Sequence, residues 1–145
     1  MENIGFDAWI KNLQEFSDED KDKCKGIFCD IVEIALNVRK SGVLGTQEKI
    51  TQLTDDIFLQ NVMSSILSST TTTHKPDGVE LDKIREKTKD IAEKIQSEIM
   101  EGDYKGAELL KRILAIEGAI SVYHGNSPTE ISNYLNTFFG ENYSP

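Results

Sequence analysis

The sequence predicts an all-α protein, a single compact bundle of about six or seven helices. Apolar residues recur at helical spacing almost throughout, with no long strand-like alternation. Only three of the 145 residues are proline, so few positions oppose a helix. Hydrophobic content of 38% and charged content of 28% are ordinary for a globular chain. The length suits one domain, 1–145, able to bury a core without disulfides or metals.

Taken in order, Ile4, Trp9, Ile10, Leu13 and Phe16 mark a short first helix. Ser17 with Asp20 resembles a capping box, Asp replacing the usual Glu, and Asp18 and Glu19 favour the positive end of a helix dipole. The helix they open carries Ile27, Phe28, Ile31, Ile34, Ala35 and Val38 on one stripe and runs to Lys40. Arg39 and Lys40 suit its last turn, and Gly42 caps it. Two shorter helices follow, from about Thr46 to Leu53 and from Asp55 to Leu67. Residues 68–78, with four consecutive threonines, Pro76 and Gly78, form the clearest loop. We read it as a loop within one domain, two subdomains being the alternative.

The second half opens with a highly charged helix from Val79 to Met100, its stripe made by Leu81, Ile84, Ile91, Ile95 and Ile99. Gly102 and Asp103 break it. A helix from Tyr104 to Tyr123 is apolar over a broad arc, which predicts a central position. Ser127, Pro128 and Glu130 then give a strong helix start, and Ile131, Tyr134, Leu135, Phe138 and Phe139 supply the last apolar face before Gly140.

Charge and composition bound the function. A net charge of -9 repels phosphate backbones and anionic headgroups, which disfavours nucleic-acid and membrane-surface roles. No window approaches the roughly 18 apolar residues of a spanning helix. The acidic N-terminus lacks the basic start and apolar run of a signal peptide. Cys24 and Cys29 read as two reduced thiols, one of them buried, which fits the cytoplasm.

Tests for chemistry return little. Asp18, Asp20 and Asp22 alternate as in a calcium loop, yet Lys23 and Cys29 stand where that loop needs glycine and glutamate. Neither His74 nor His124 has a glutamate three residues before it, which removes the di-iron bundle pattern. Two cysteines cannot complete a zinc site. No catalytic residue, cofactor or metal is expected. His124, at a helix end beside Gly125, reads as a cationic imidazole meeting the negative end of the dipole. Glu117 interrupts the apolar face of the central helix. Either it faces inward and needs a partner, Lys111 or Arg112 being nearest in sequence, or it lies at the edge and is solvated.

The run from Glu117 and Gly118 through Gly125 and Pro128 to Leu135 and Phe138 resembles the cytoplasmic signature of MotA-type flagellar stator subunits (the MotA/TolQ/ExbB proton channel family). So do the run from Ala35 through Arg39, Lys40 and Gly42 to Glu48, and the stretch Asp56, Ile57, Phe58, Leu59. The resemblance implies a soluble counterpart of the cytoplasmic part, without ion conduction, because the membrane helices and channel-lining residues have no equivalent. It makes Arg39, Lys40 and Glu48 partner-binding residues, with Gln47 at the family's acidic position, and Gly42, Glu117, Gly118, Gly125 and Pro128 structural. The expected function is a non-enzymatic, cytoplasmic protein-interaction module whose partner is another protein such as a motor component. A small-molecule-binding or enzymatic domain, its site assembled only in the fold, is the alternative. Adjacent Phe138 and Phe139 point about 100° apart on a helix, which predicts a monomer or weak homodimer touching through the C-terminal helix.

Overall fold

The computed structural model describes residues 17–68 and 78–138. Among these residues the fold is all-α: α1 (Asp18–Lys23), α2 (Lys25–Glu48), α3 (Ile50–Leu53), α4 (Ile57–Ser68), α5 (Gly78–Glu101), α6 (Gly106–Tyr123) and α7 (Pro128–Asn136). The helix expected over Ile4 to Phe16, residues 69–77 of the expected loop, and Phe139 and Gly140 lie outside the described residues.

Local signals explain most boundaries. The Ser17 hydroxyl accepts from the Asp20 amide at 3.1 Å and starts α1. The single helix expected from there to Lys40 is broken at Cys24, whose thiol is buried and donates to the Ala107 carbonyl at 3.5 Å. Gly42, at φ 75° and ψ 176°, interrupts α2 as a C-terminal cap would, and the chain turns helical again at once, so that α2 is kinked. The buried Thr46 hydroxyl secures the kink, lying 2.7 Å from the Gly42 carbonyl oxygen and 3.0 Å from the Asn37 amide side chain. The helix expected from Thr46 to Leu53 is therefore divided between the end of α2 and α3.

At the other end of the chain, Ser127 and Glu130 form a complete capping box around Pro128. The Glu130 amide donates to Ser127 at 3.1 Å, and the Ser127 amide donates to the Glu130 carboxylate at 2.8 Å. The bond from the Ser127 amide, helped by the Ser127 hydroxyl, holds the Glu130 carboxyl below its ordinary value. α6 ends in a Schellman arrangement: Gly125 N–H reaches the Val122 carbonyl, Asn126 N–H reaches that of Ser121, and Gly125 has φ 76°.

α6 is the axis of the bundle. It packs against α1, α2, α4, α5 and α7, and every residue from Ile113 to Val122 is buried. A helix surrounded in this way has no solvent face, which is why its apolar arc is broad. α2 comes closest to it at Gly118, where an added Cβ would lie 2.7 Å from Ile31 Cγ2 and 2.9 Å from Ile31 Cδ1. Ile31 is itself fully buried, so it has little room to retreat. Phe138 is also buried within this chain, edge-on to Tyr134 at 5.5 Å.

Gly118→Ala is expected to lower stability by about 1 kcal/mol, since overpacking costs about 1–3 kcal/mol and better helix propensity returns up to about 1. Gly118→Val, which is larger and β-branched, lowers it further. Urea unfolding of both variants checks the order. A valine variant as stable as wild type would mean that Ile31 gives way freely.

Candidate functional site

Glu117 faces inward, with only 1% of its surface exposed. The sequence suggested Lys111 or Arg112 as its partner, and both are engaged elsewhere. Lys111 pairs with Asp56 at 3.3 Å and Arg112 with Glu108 at 2.9 Å. Glu117 instead accepts a hydrogen bond from Gln96 Nε2 of α5 at 2.9 Å and another from the Tyr134 hydroxyl of α7 at 2.5 Å. One carboxyl thus ties three helices, with both oxygens accepting. Lys111 and Arg112 are too near the start of α6 to serve: on a helix rising about 1.5 Å per residue, five or six residues carry them a turn and a half away and onto other faces.

A second polar cluster joins α2, α4 and α6. Thr54, buried ahead of α4, donates to Asp30 of α2 at 2.7 Å and accepts from the Asp56 amide at 3.2 Å. Asp56 caps α4 through the Leu59 amide at 2.9 Å and receives Lys111 on its other oxygen. Close by, the Arg112 guanidinium lies 4.5 Å from the Phe58 ring centroid and 4.0 Å from that of Tyr104. Two aromatic faces and one carboxylate hold this cation in place. Gly102 makes room for the arrangement, because a Cβ there would run into the Tyr104 ring.

The remaining reactive groups are scattered. Burial pushes the Cys24 thiol up to about 11, beside a smaller opposing pull from Lys111, so it is a poor nucleophile. Cys29 is exposed, and both thiols are free. Among the described residues no group of His, Cys, Asp and Glu could hold a metal ion, and no helix is long and apolar enough to cross a membrane. Cys24 meets the first turn of α6 at Ala107, whereas Glu117 lies ten residues further on, about 15 Å along the axis. The two share no site.

His124 is the C-cap of α6, as expected, but its charge is not. Burial lowers its pKa below the ordinary 6.5, and its Nε2 is buried without a hydrogen-bond partner. Desolvation outweighs the attraction of the helix dipole here, because the ring is turned into protein beside Tyr123, 5.0 Å away.

The residues singled out by resemblance divide in two. Glu117, Gly118, Gly125 and Pro128 occupy the buried network, the close helix crossing and the two turns that flank the α6–α7 connection. Arg39, Lys40, Gly42 and Glu48 are exposed along the kinked half of α2, together with Leu36 and Leu44. Arg39 also faces α7 closely enough to help hold the Glu130 carboxyl low. Gln96 and Thr54 escaped the sequence reading, and Tyr134 was placed on the last apolar face without its bond to Glu117. Gln96 carried a signal, since it falls in step with Ala92 and Ile99 on a helical stripe, and Thr54 carried none.

No protein-family model, no curated protein and no solved structure matches this chain.

Two expectations follow from the geometry. Glu117→Leu leaves the Gln96 and Tyr134 donors without their acceptor and should cost about 2–4 kcal/mol. Adding Gln96→Leu and Tyr134→Phe should restore most of that loss, because apolar groups then replace both donors as well as their acceptor. Denaturant unfolding of the single and triple variants measures it. A triple variant no better than the single one would show that the network does not act as a unit.

The His124 expectation concerns pH. Its folded pKa lies below 6.5, so the unfolded chain binds the extra proton. The stabilising contribution is therefore complete above pH 6.5 and is lost as pH falls through the folded value. His124→Gln should flatten the stability profile between about pH 7 and 5. Thermal melts of both proteins across that window test it, and parallel profiles would count against it.

Proposed function

We propose that this chain is a non-enzymatic protein-interaction module that works in the cytoplasm and binds its partner through the kinked segment from Arg39 to Glu48. One observation carries the reading. This segment presents Arg39, Lys40, Glu48 and a 58% exposed Leu44 to solvent while Ala35 and Thr46 anchor it in the bundle. An apolar side chain among charges of both signs, on a backbone fixed by the Thr46 bonds, suits a protein partner of mixed polarity. The resemblance to the cytoplasmic part of MotA-type stator subunits supports a motor or stator-related partner. The raised Cys24 thiol, set at the opposite end of α6 from Glu117, supports a binding role over a catalytic one.

Arg39→Glu combined with Glu48→Lys reverses the charges at exposed positions and should leave stability within about 0.5 kcal/mol of wild type. Cross-linking pull-downs from cell lysate compare the two proteins. Loss of at least one captured protein from the variant is the expected result. An identical captured set removes this surface from consideration.

A further inference from the structure

The helix α5 is held unlike any other long helix of this bundle. Of its 24 residues only Thr88, Ala92, Gln96 and Ile99 are fully buried. Two of these are polar and one is alanine. The shorter α6 buries eleven residues, nine of them without a polar side chain. Ile91 and Ile95 flank the α5 seam but are only partly covered, and Val79 and Met100 stand 65% and 46% exposed. Of the stripe that the sequence suggested, Ile99 is buried, whereas Leu81, Ile84, Ile91 and Ile95 border the buried face.

Several polar contacts of α5 stay within the helix. Thr88 donates to the Ile84 carbonyl of its own helix at 2.9 Å. The ion pairs Arg85–Asp82 and Lys89–Glu93 also run along the helix and travel with it. The Gln96 amide, by contrast, reaches across to Glu117. After α5 the chain leaves helical geometry at Gly102 and resumes it only at Gly106, a short non-helical connection able to absorb a change of direction.

We propose that α5 is a strap that opens as a unit from an otherwise folded bundle, with the Gln96–Glu117 hydrogen bond as its latch. Leaving the bundle withdraws only two buried apolar side chains of α5 itself, Ala92 and Ile99, fewer than α2, α4 or α6 contributes. It also returns the Glu117 carboxyl to water, which offsets part of the lost packing. The helices α2, α4, α6 and α7 keep their own contacts with one another while α5 is away.

Amide hydrogen exchange of the full chain under native conditions reads this opening residue by residue. Amides from Lys89 to Ile99 are expected to exchange through one common opening, about a hundredfold faster than those of Ile113 to Ile120 in α6 and Ile27 to Ile34 in α2. Gln96→Ala should speed the α5 amides about tenfold further. Ile34→Val, a core change in α2, should speed α2 and α6 severalfold and leave α5 at its wild-type rate. Equal protection of α5 and α6 in the wild-type protein overturns the strap, as does acceleration of α5 by Ile34→Val. Unchanged α5 exchange in Gln96→Ala overturns the latch.

Discussion

The contact between Ile31 and Gly118 sets the spacing of α2 and α6, and much of the remaining packing is arranged around it. Only a residue without a side chain lets Ile31 enter so far, with its Cγ2 at 2.7 Å from the place a Cβ would take. Close approach brings the rest of α2, from Phe28 to Ala35, within reach of α6, and both flanks of α6 are then filled by α4 and α7. Fully burying an aliphatic side chain is worth about 1.5–3 kcal/mol, so the row of such residues on α6 dominates the stability. The same enclosure makes any polar group on α6 costly unless it finds partners.

Three polar arrangements meet that demand in different ways. Glu117 is satisfied by donors from α5 and α7 and so links the helices on either side of it. Asp56 uses one oxygen to cap α4 and the other to meet Lys111, which ties a helix start to the flank of α6. Arg112 lies between two aromatic rings with Glu108 along its edge. Each arrangement has a geometry that apolar packing alone would not require, since hydrogen bonds and cation–π contacts are directional where burial is not. A helix shifted by one residue along α6 would lose them.

Packing strength is distributed unevenly as a result. α2, α4 and α6 share an apolar core, whereas the buried seam of α5 is Thr88, Ala92, Gln96 and Ile99, half of it polar. The kinked end of α2 is anchored from beneath by Thr46, yet its outer surface carries charges and a largely exposed Leu44. A rigid surface with apolar character and a weakly seated helix thus coexist in one bundle, and both arise from which residues the chain places at the α6 interface and which it leaves outside.

The sequence by itself determined the helical class, the central place of α6 and the helix starts at Ser17 and Ser127. It also determined the breaks at Gly42 and Gly125. Each of these depends on residues within a turn of one another, or on the width of an apolar stripe along one helix, and such relations are carried by spacing. The tertiary structure decided the rest. Glu117 takes a donor 21 residues before it and another 17 residues after it, while the cations a turn and a half away turn to Asp56 and Glu108. The charge state of His124 was misjudged for a related reason: the helix dipole is visible in the sequence, but burial of the ring beside Tyr123 is not. Partners of this kind are selected by how whole helices dock, and docking depends on close approaches such as that at Gly118, which no local pattern encodes.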